Sequence, residues 1–290
     1  DLMINIEQVN NFKIERCKIL EVSGTSLNKE PSRSAVFHAI KIAKKNNIDI
    51  IHDLDFRIDQ WKDIFSFGKI TKSILSYIDI VVGTEEEILA TNIKSKNQVI
   101  ITDQQISSPK ITGNLSKAIY QILDHGVKTL IVKSGEEGVT IYKSDGTIKK
   151  VDGFPVKVLN VLGAGDAFAS GFIYGYLKGW DLIKSCRMGN ACGALIVLQP
   201  GCANFMPSLN ETLEFIKKNR FKVTICGHCH LYGGQKENFG GGVVVNIASH
   251  DDKGAEGKYA KIRIDKYDSL TKVSINSTRE LWTADTEPLL

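Results

Sequence analysis

The sequence has 290 residues, of which 42% are hydrophobic and 24% are charged, close to the averages of globular proteins. This composition excludes disordered, collagen-like and disulfide-scaffold chains, and the length predicts about two domains of ~150 residues. The net charge of +4 is too small to indicate a nucleic-acid partner. No apolar run reaches the ~18 residues that a membrane-spanning helix needs. Six cysteines without a signal-peptide pattern predict reduced thiols and a cytoplasmic protein.

Apolar runs alternate with amphipathic stretches over the first two hundred residues, a pattern typical of a largely parallel sheet flanked by helices. Strands are expected at residues 17–23, 48–54, 78–82 and 129–133, followed by a hairpin of 139–142 and 147–151. Helices are expected at residues 32–47, 63–76, 116–125, 166–178, 185–198 and 209–218. The fold class is therefore α/β.

The pattern changes after Asn219. Short alternating runs around a glycine-rich loop at 233–242 predict a small β-rich tail. Its strands are expected at residues 221–225, 243–247, 259–264 and 271–275. We therefore place a domain boundary here, with one domain over 1–218 and the tail over 219–290.

The run Asn160-Val-Leu-Gly-Ala-Gly-Asp carries the strongest chemical signal in the sequence. Gly163 and Gly165 allow a tight turn with outward-pointing amides, and a helix is expected to begin at about Asp166. Helix N-termini attract anions and stabilise a nearby carboxylate. Such a carboxylate suits the base that takes a proton from a hydroxyl attacking a phosphoryl group. The alternative is an aspartate that only caps a helix.

This run resembles the signature of the ribokinase-like (PfkB-type) carbohydrate kinases. The resemblance implies that Asp166 is the catalytic base and that the amides of Gly163, Ala164 and Gly165 hold the transferred phosphate of MgATP. Asn160 stands where the family often has Asp near a monovalent-cation site, which leaves K⁺ dependence open. The resemblance further implies a ribokinase-like sheet. No Gly-Gly sugar-binding segment precedes it, so we expect the first strands and the lid to be missing, and the family's lid-mediated homodimer stays open.

Further segments match the same family in the same order. The run from Lys133 through Gly135 to Gly138 resembles its Lys-x-Gly-x-x-Gly loop at the nucleotide site, although an ordinary β-turn has the same pattern. Asn190 matches a polar residue of the helix that lines the adenine pocket. Glu87 matches the acid of an Asn-x-x-Glu motif that organises Mg²⁺ and phosphate through water. Thr84 replaces the Asn of that motif, and an acid-rich helix N-terminus is the alternative interpretation.

Other runs resemble the myo-inositol catabolic branch of the family, notably the one from Asp53 to Trp61. That branch phosphorylates a keto-deoxy sugar acid, 5-dehydro-2-deoxygluconate, at its terminal hydroxyl. Asp55 and Arg57 follow a strand end, where α/β sheets bind ligands, and a guanidinium can grip a carboxylate with two hydrogen bonds. A purely structural Asp–Arg pair is the alternative. Two other functions stay open: a kinase of 2-keto-3-deoxygluconate, and an inactive nucleotide-binding fragment.

The tail contains Cys226-Gly-His-Cys-His and, further on, Val245-Asn-Ile-Ala-Ser. These runs resemble the last motif of calcineurin-like metallophosphoesterases, and the resemblance makes His228 and His230 metal ligands. A two-metal site needs more ligands than two histidines, and the earlier motifs of that family are missing upstream. We therefore expect no tightly held divalent metal in the tail. The expected partners are a sugar acid and ATP, with no nucleic acid and no membrane.

Overall fold

The computed structural model describes residues 3–101 and 109–219, together with the backbone of six strands between 223 and 285. The chain divides into two compact units, Asp1–Val151 and Asp152–Leu290. Within the described residues, no helix has the length and apolar character needed to cross a bilayer. The sequence-based boundary at 219 stays a prediction.

The first unit is built on a six-stranded sheet with the strand order β1-β2-β3-β6-β7-β8. The first four strands of this order are parallel to one another: β1 (Ile19–Ser23), β2 (Asp49–Asp53), β3 (Ile80–Thr84) and β6 (Thr129–Lys133). The other two strands are β7 (Val139–Lys143) and β8 (Ile148–Val151). Strand β7 pairs antiparallel with β6, and β8 pairs antiparallel with β7. A separate small pair comprises β4 (Val99–Ile100) and β5 (Lys110–Ile111). The prediction of a mostly parallel sheet with a terminal hairpin is confirmed.

Among the described residues of this unit, five α-helices accompany the sheet: α1 (Ile6–Asn11), α2 (Ser32–Lys45), α3 (Ile64–Ile74), α4 (Glu85–Ala90) and α5 (Leu115–Asp124). The three longer ones were predicted, and α5 ends before Gly126, whose φ is +98°. Helix α1 was not predicted, and α4 was predicted only as the alternative interpretation of its acids, because six residues are too few to show a helical period. The core of the unit consists of apolar side chains, including Leu54, Phe67 and Ile74, each of them fully buried.

The second unit contains α6 (Ala164–Leu177), α7 (Leu182–Ile196) and α8 (Leu209–Lys218). Helices α6 and α7 pack closely, since a Cβ placed on Gly171 would lie 2.8 Å from the Met188 carbonyl oxygen. The small residues of α6 therefore let the two helices approach closely. The core around them includes Phe154, Met188 and Ile216.

The tail is described by six strands: β9 (Val223–Cys226), β10 (Lys236–Phe239), β11 (Gly242–Asn246), β12 (Tyr259–Ile264), β13 (Leu270–Asn276) and β14 (Leu281–Asp285). They form two three-stranded sheets, ordered β10-β11-β9 and β12-β13-β14. Strand β10 lies inside the segment that was expected to be a glycine-rich loop. His228 and His230 lie outside the described residues.

Candidate functional site

Polar side chains gather at the carboxyl ends of the parallel strands in the first unit. The strand register places Ser23 opposite Asp53, and Thr84 opposite Lys133. We call the charged and polar residues at this edge the carboxyl-edge cluster: Ser23, Asp53, Asp55, Arg57, Glu87 and Lys133. In parallel sheets this edge is where ligands bind.

Lys133 lies between two carboxylates of this cluster. Its Nζ is 3.3 Å and 3.4 Å from the two carboxylate oxygens of Asp53 and 3.9 Å from Oε2 of Glu87. The Lys133 side chain is only 13% exposed. Burial alone would lower the pKa of Lys133, but the carboxylates of Asp53 and Glu87 outweigh burial and raise that pKa above its ordinary value. The Lys133 ammonium group therefore stays charged although its side chain is buried.

Glu87 is held by the start of α4. Its Oε2 accepts a 2.7 Å hydrogen bond from the Thr84 amide, and the Thr84 hydroxyl accepts a 3.2 Å bond from the Glu87 amide. This is a capping box, so the acid-rich helix N-terminus offered as an alternative is present. Burial raises the pKa of Glu87 above its ordinary value, although the Lys133 charge opposes this effect. The threonine in place of the family's asparagine thus caps a helix and fixes the glutamate.

Asp55 and Arg57 form an ion pair, with Nε of Arg57 2.9 Å from Oδ1 of Asp55. The Ser23 hydroxyl donates a 2.9 Å hydrogen bond to the other oxygen of Asp55. Burial would raise the pKa of Asp55, but the hydrogen bonds from Ser23 and Arg57 together hold it below its ordinary value. Asp55 has a φ of +34°, in a region that non-glycine residues rarely adopt. The structural Asp–Arg pair is therefore present at the place where substrate contact was expected.

The loop after β6 contains the two other predicted nucleotide-site residues of this unit. Gly135 and Gly138 have φ values of +58° and +91°, which glycine adopts readily. The Ser134 amide donates a 2.9 Å hydrogen bond to the Gly138 carbonyl. The turn offered as an alternative is present, and an added Cβ on Gly135 would meet nothing within 4 Å. A ligand can therefore approach the backbone at Gly135 closely.

The second unit contains the glycine turn, residues 160–166. Gly163 is the N-cap of α6 with a φ of +82°, a conformation that suits glycine. Helix α6 begins at Ala164, two residues before the predicted start. Gly165 is therefore helical, so the expectation that both glycines shape the turn was wrong for Gly165. Asp166 lies in the first helical turn and is exposed.

The first turn of a helix leaves amides without intrahelical acceptors, and such amides attract anions. In α6 the Ala164 amide donates a 3.3 Å hydrogen bond to the Val161 carbonyl. Asn190 of α7 is buried, and its side-chain amide donates a 3.0 Å hydrogen bond to the Asp152 carbonyl. It thereby holds the segment that begins this unit.

Sequence reasoning did not select Ser23, Asp53 or His52 as individual site residues. His52 and Asp53 lie at the carboxyl end of the buried strand β2. That position in the sequence was the signal that could have identified them as site residues. Nδ1 of His52 lies 2.8 Å from the Val22 carbonyl oxygen, while Nε2 has no hydrogen-bond partner. Burial lowers the pKa of His52, which favours the neutral imidazole. Among the described residues, no group of three or more His, Cys, Asp or Glu side chains is arranged to hold a metal ion.

Comparison with known proteins extends these observations. The model of the pfkB family carbohydrate kinase matches residues 5–209. The chain is 34% identical over 220 residues to 5-dehydro-2-deoxygluconokinase of Clostridium beijerinckii, covering 76% of this chain and 61% of that protein. The protein of the same name from Clostridium perfringens is 34% identical over 221 residues, with the same coverage of both chains. The chain thus spans about three fifths of the length of these relatives.

Solved structures show the same fold. The crystal structure of an E. coli protein titled ribokinase II, in complex with ATP and Mg²⁺, is 28% identical, with a TM-score of 0.60. The similarity covers 72% of this chain and 61% of that one. The Vibrio cholerae fructokinase in its fructose-, ADP- and calcium-bound form shares the fold, with a TM-score of 0.61 at 22% identity. Since the family model covers most of the described residues, this chain belongs to the pfkB family of carbohydrate kinases.

Proposed function

We propose that this protein transfers the γ-phosphoryl group of MgATP to the terminal hydroxyl of a keto-deoxy sugar acid, 5-dehydro-2-deoxygluconate. The observation that carries the proposal is the 34% identity over 220 residues to relatives of that named activity. The glycine turn and the carboxyl-edge cluster supply chemistry that suits it. The proposal includes a cytoplasmic location. The homodimer stays open, because the family's dimer forms through the lid, and sedimentation equilibrium measures the oligomeric state.

Asp166 is the proposed base. It is the third residue after the N-cap Gly163, and it is exposed. The partial positive charge of a helix N-terminus stabilises a carboxylate at that position. In the reaction the sugar hydroxyl gives its proton to the Asp166 carboxylate while its oxygen bonds to the γ-phosphorus. The bond from that phosphorus to the β,γ-bridging oxygen breaks, and ADP leaves.

The amides of Gly163, Ala164 and Gly165 are the proposed cradle for the transferred phosphate. Backbone N–H groups aimed at a developing charge cost no reorganisation during the reaction, so they stabilise its transition state. Gly163 contributes through its left-handed φ of +82°. In this proposal Gly165 contributes as a helical residue, because it lets phosphate approach the first turn without meeting a Cβ.

The loop of Lys133, Gly135 and Gly138 is proposed to contribute to nucleotide binding, with Lys133 supplying a buried positive charge. Asn190 is proposed to shape the adenine pocket through its hold on the Asp152 carbonyl. Mg²⁺ keeps several waters and is bound largely through phosphate oxygens. A single buried carboxylate, Glu87, is compatible with that donor set if it acts through water. When bound, the ion would neutralise charge on the phosphates.

Arg57 is the proposed contact for the carboxylate of the sugar acid. Its side chain is 38% exposed, and a guanidinium has a planar set of five N–H donors that matches a carboxylate. Asp55 orients that guanidinium. An Arg57 that binds a carboxylate explains a preference for sugar acids over neutral sugars.

The test is a coupled ADP-release assay on the purified chain with MgATP and a panel of sugar acids that includes 5-dehydro-2-deoxygluconate. We expect Asp166→Asn to abolish sugar-dependent turnover, a loss of at least ~100-fold for a general base, while ATP still raises the melting temperature. Asp124→Asn, which changes an exposed aspartate at the end of α5, is the matched control.

Retained turnover in Asp166→Asn would refute the assignment of the base. ATP-dependent stabilisation without turnover on any sugar acid would favour the inactive nucleotide-binding fragment. Faster turnover on 2-keto-3-deoxygluconate than on 5-dehydro-2-deoxygluconate would move the assignment to that alternative kinase.

A further inference from the structure

Asn160 joins the glycine turn to the loop that follows α7. Its side-chain Nδ2 donates a 3.3 Å hydrogen bond to the Pro200 carbonyl, and its Oδ1 accepts a 3.0 Å bond from the Leu162 amide. The Asn160 main-chain amide donates a 3.2 Å bond to the Val197 carbonyl. Three hydrogen bonds of one residue therefore fix the turn that leads into Gly163.

The orientation of this side-chain amide follows from its partners. The Leu162 amide can only donate, so it needs the oxygen of Asn160. The Pro200 carbonyl can only accept, so it needs the nitrogen. A flipped amide would lose both bonds. The hydrogen bonds to Leu162 and Pro200 therefore determine that the side-chain nitrogen of Asn160, and not its oxygen, faces the Pro200 carbonyl.

The two segments that Asn160 connects contain no negative charge. Neither 157–163 nor 197–206 includes an aspartate or a glutamate. The Val197 carbonyl already accepts bonds from the Leu159 and Asn160 amides, at 2.8 Å and 3.2 Å. The segments are also in close contact, because a Cβ on Gly163 would lie 2.8 Å from the Cβ of Cys202.

The sequence resemblance placed a monovalent cation near Asn160, and these residues do not fit one. A monovalent cation requires several oxygen donors with free lone pairs, such as the backbone carbonyls of potassium sites. Here the Pro200 oxygen faces an N–H group that is already a donor, and the Val197 oxygen is shared by two amides. An N–H group and a metal ion compete for the same carbonyl lone pairs.

We propose that the side-chain amide of Asn160 takes the place of a monovalent cation in joining the glycine turn to the loop 197–206, so that this protein needs no K⁺. Asn160 is a positioning residue in this inference, because it acts on the phosphate cradle through the turn. An Asp at this position would direct a carboxylate oxygen at the Pro200 carbonyl, and a cation would then be needed between them.

The experiment compares melting temperatures of the full chain in KCl, NaCl and choline chloride at equal ionic strength. We expect the wild type to melt at the same temperature in all three salts. Asn160→Asp should melt lower in choline and recover selectively in K⁺. Asn160→Ala should melt lower in every salt without recovery, since each of the two lost side-chain hydrogen bonds raises the unfolding equilibrium constant about fivefold. A K⁺-specific rise in the wild-type melting temperature would overturn the inference.

ADP release provides a second measurement, which rests on the proposed function. Wild-type turnover should be equal in the three salts, whereas Asn160→Asp should be active in K⁺ alone. A K⁺ requirement in the wild type would overturn the inference, as would an Asn160→Asp variant equally stable in choline and K⁺. If no sugar acid supports turnover, the proposed function fails but the melting measurements still decide the role of Asn160.

Discussion

The two edges of the parallel sheet in the first unit differ in how their charges are paired. At the amino edge the Asp79 carboxylate lies 2.8 Å from Nζ of Lys128 and 3.6 Å from Nζ of Lys44, and Asp49 also acts on Lys128. The Ile50 amide donates a further 3.0 Å hydrogen bond to Asp79. In the carboxyl-edge cluster, three carboxylates are accompanied by one lysine and one arginine.

The accessibility of the cations differs as well. At the amino edge the side chains of Lys44 and Lys128 are 40% and 72% exposed, whereas Lys133 at the carboxyl edge is 13% exposed. Exposed lysines are screened by water and salt, so their pairs contribute little beyond local stability. A buried lysine among buried carboxylates interacts strongly, and losing either partner is costly. The amino edge thus stabilises the sheet, while the carboxyl edge concentrates charge where ligands bind.

The largest expected effect comes from Lys133→Met, which removes the buried cation and keeps the aliphatic chain. The carboxylates of Asp53 and Glu87 would then lie buried without the Lys133 cation, and we expect the free energy of unfolding to fall by about 3 kcal/mol. If the proposed function holds, the KM for ATP should rise at least about tenfold, because those carboxylates would repel phosphate. Urea unfolding and the ADP-release assay measure the two effects.

The double variant Asp53→Asn/Lys133→Met separates the ion pair from simple loss of packing. It should recover part of the lost stability, because one unpaired carboxylate is neutralised. A Lys133→Met variant as stable as the wild type would show that the buried pair contributes nothing, and the contrast between the edges would disappear.

A smaller effect is expected from Asp79→Asn at the amino edge. Burial would raise the pKa of Asp79, but hydrogen bonds from Lys128 and Ile50 outweigh it and hold that pKa below its usual value of 3.8. The stabilisation is therefore present above pH 3.8 and is lost as the pH falls through the lowered folded-state pKa. At neutral pH we expect a loss of about 1.5 kcal/mol with unchanged turnover.

The difference between the wild type and Asp79→Asn in urea unfolding should shrink in acid, and Asp124→Asn again controls for loss of a surface charge. Reduced turnover in an Asp79→Asn variant that is fully folded under the assay conditions would mean that the amino edge influences catalysis. The assignment of stability to the amino edge and ligand binding to the carboxyl edge would then be wrong.

The smallest effect concerns His52, which lies between the two edges in β2. Because burial lowers its folded-state pKa below 6.5, the unfolded chain binds the extra proton first as the pH falls. Stability should therefore decrease below pH 6.5, by at most about 1.4 kcal/mol per pH unit. His52→Asn should show a shallower decrease between pH 6.5 and 5 than the wild type. The exposed His125→Asn should keep the wild-type slope, and an unchanged slope in His52→Asn would contradict the assignment.

Much of the secondary structure in both units could be predicted from the sequence, because long apolar runs and helical periods indicate burial directly. Helix α8 of the second unit and strand β6 of the first begin and end at the predicted residues. The short helix α4 could not be predicted with the same force, since its six residues contain one turn of acids and one apolar turn. Its local signals were those acids and the capping box at Thr84 and Glu87.

The geometry of the site was less accessible to sequence reasoning. Gly163 and Gly165 are indistinguishable in a pattern, yet one is left-handed and the other helical, because the chain enters α6 between them. Lys133 was associated with a nucleotide loop, but its side chain points to Asp53, 80 residues earlier. Such side-chain pairs depend on the order of the strands in the sheet, which the local sequence pattern does not predict. The assignments of Asp166, Arg57 and Asn190 to catalysis and binding stay predictions.

The close approach of α6 and α7 at Gly171 restricts how this family member can vary. Helix α6 carries Asp166 in its first turn, and α7 leads into the loop whose carbonyls accept the Asn160 hydrogen bonds. A methyl group at Gly171 would meet the Cys192 sulfur and the Met188 carbonyl oxygen, each at 2.8 Å. The Met188 oxygen belongs to the backbone, so a smaller side chain on α7 cannot make room for that methyl group. Any side chain at residue 171 would therefore push the two helices apart, and the first turn of α6 would move relative to the loop that follows α7.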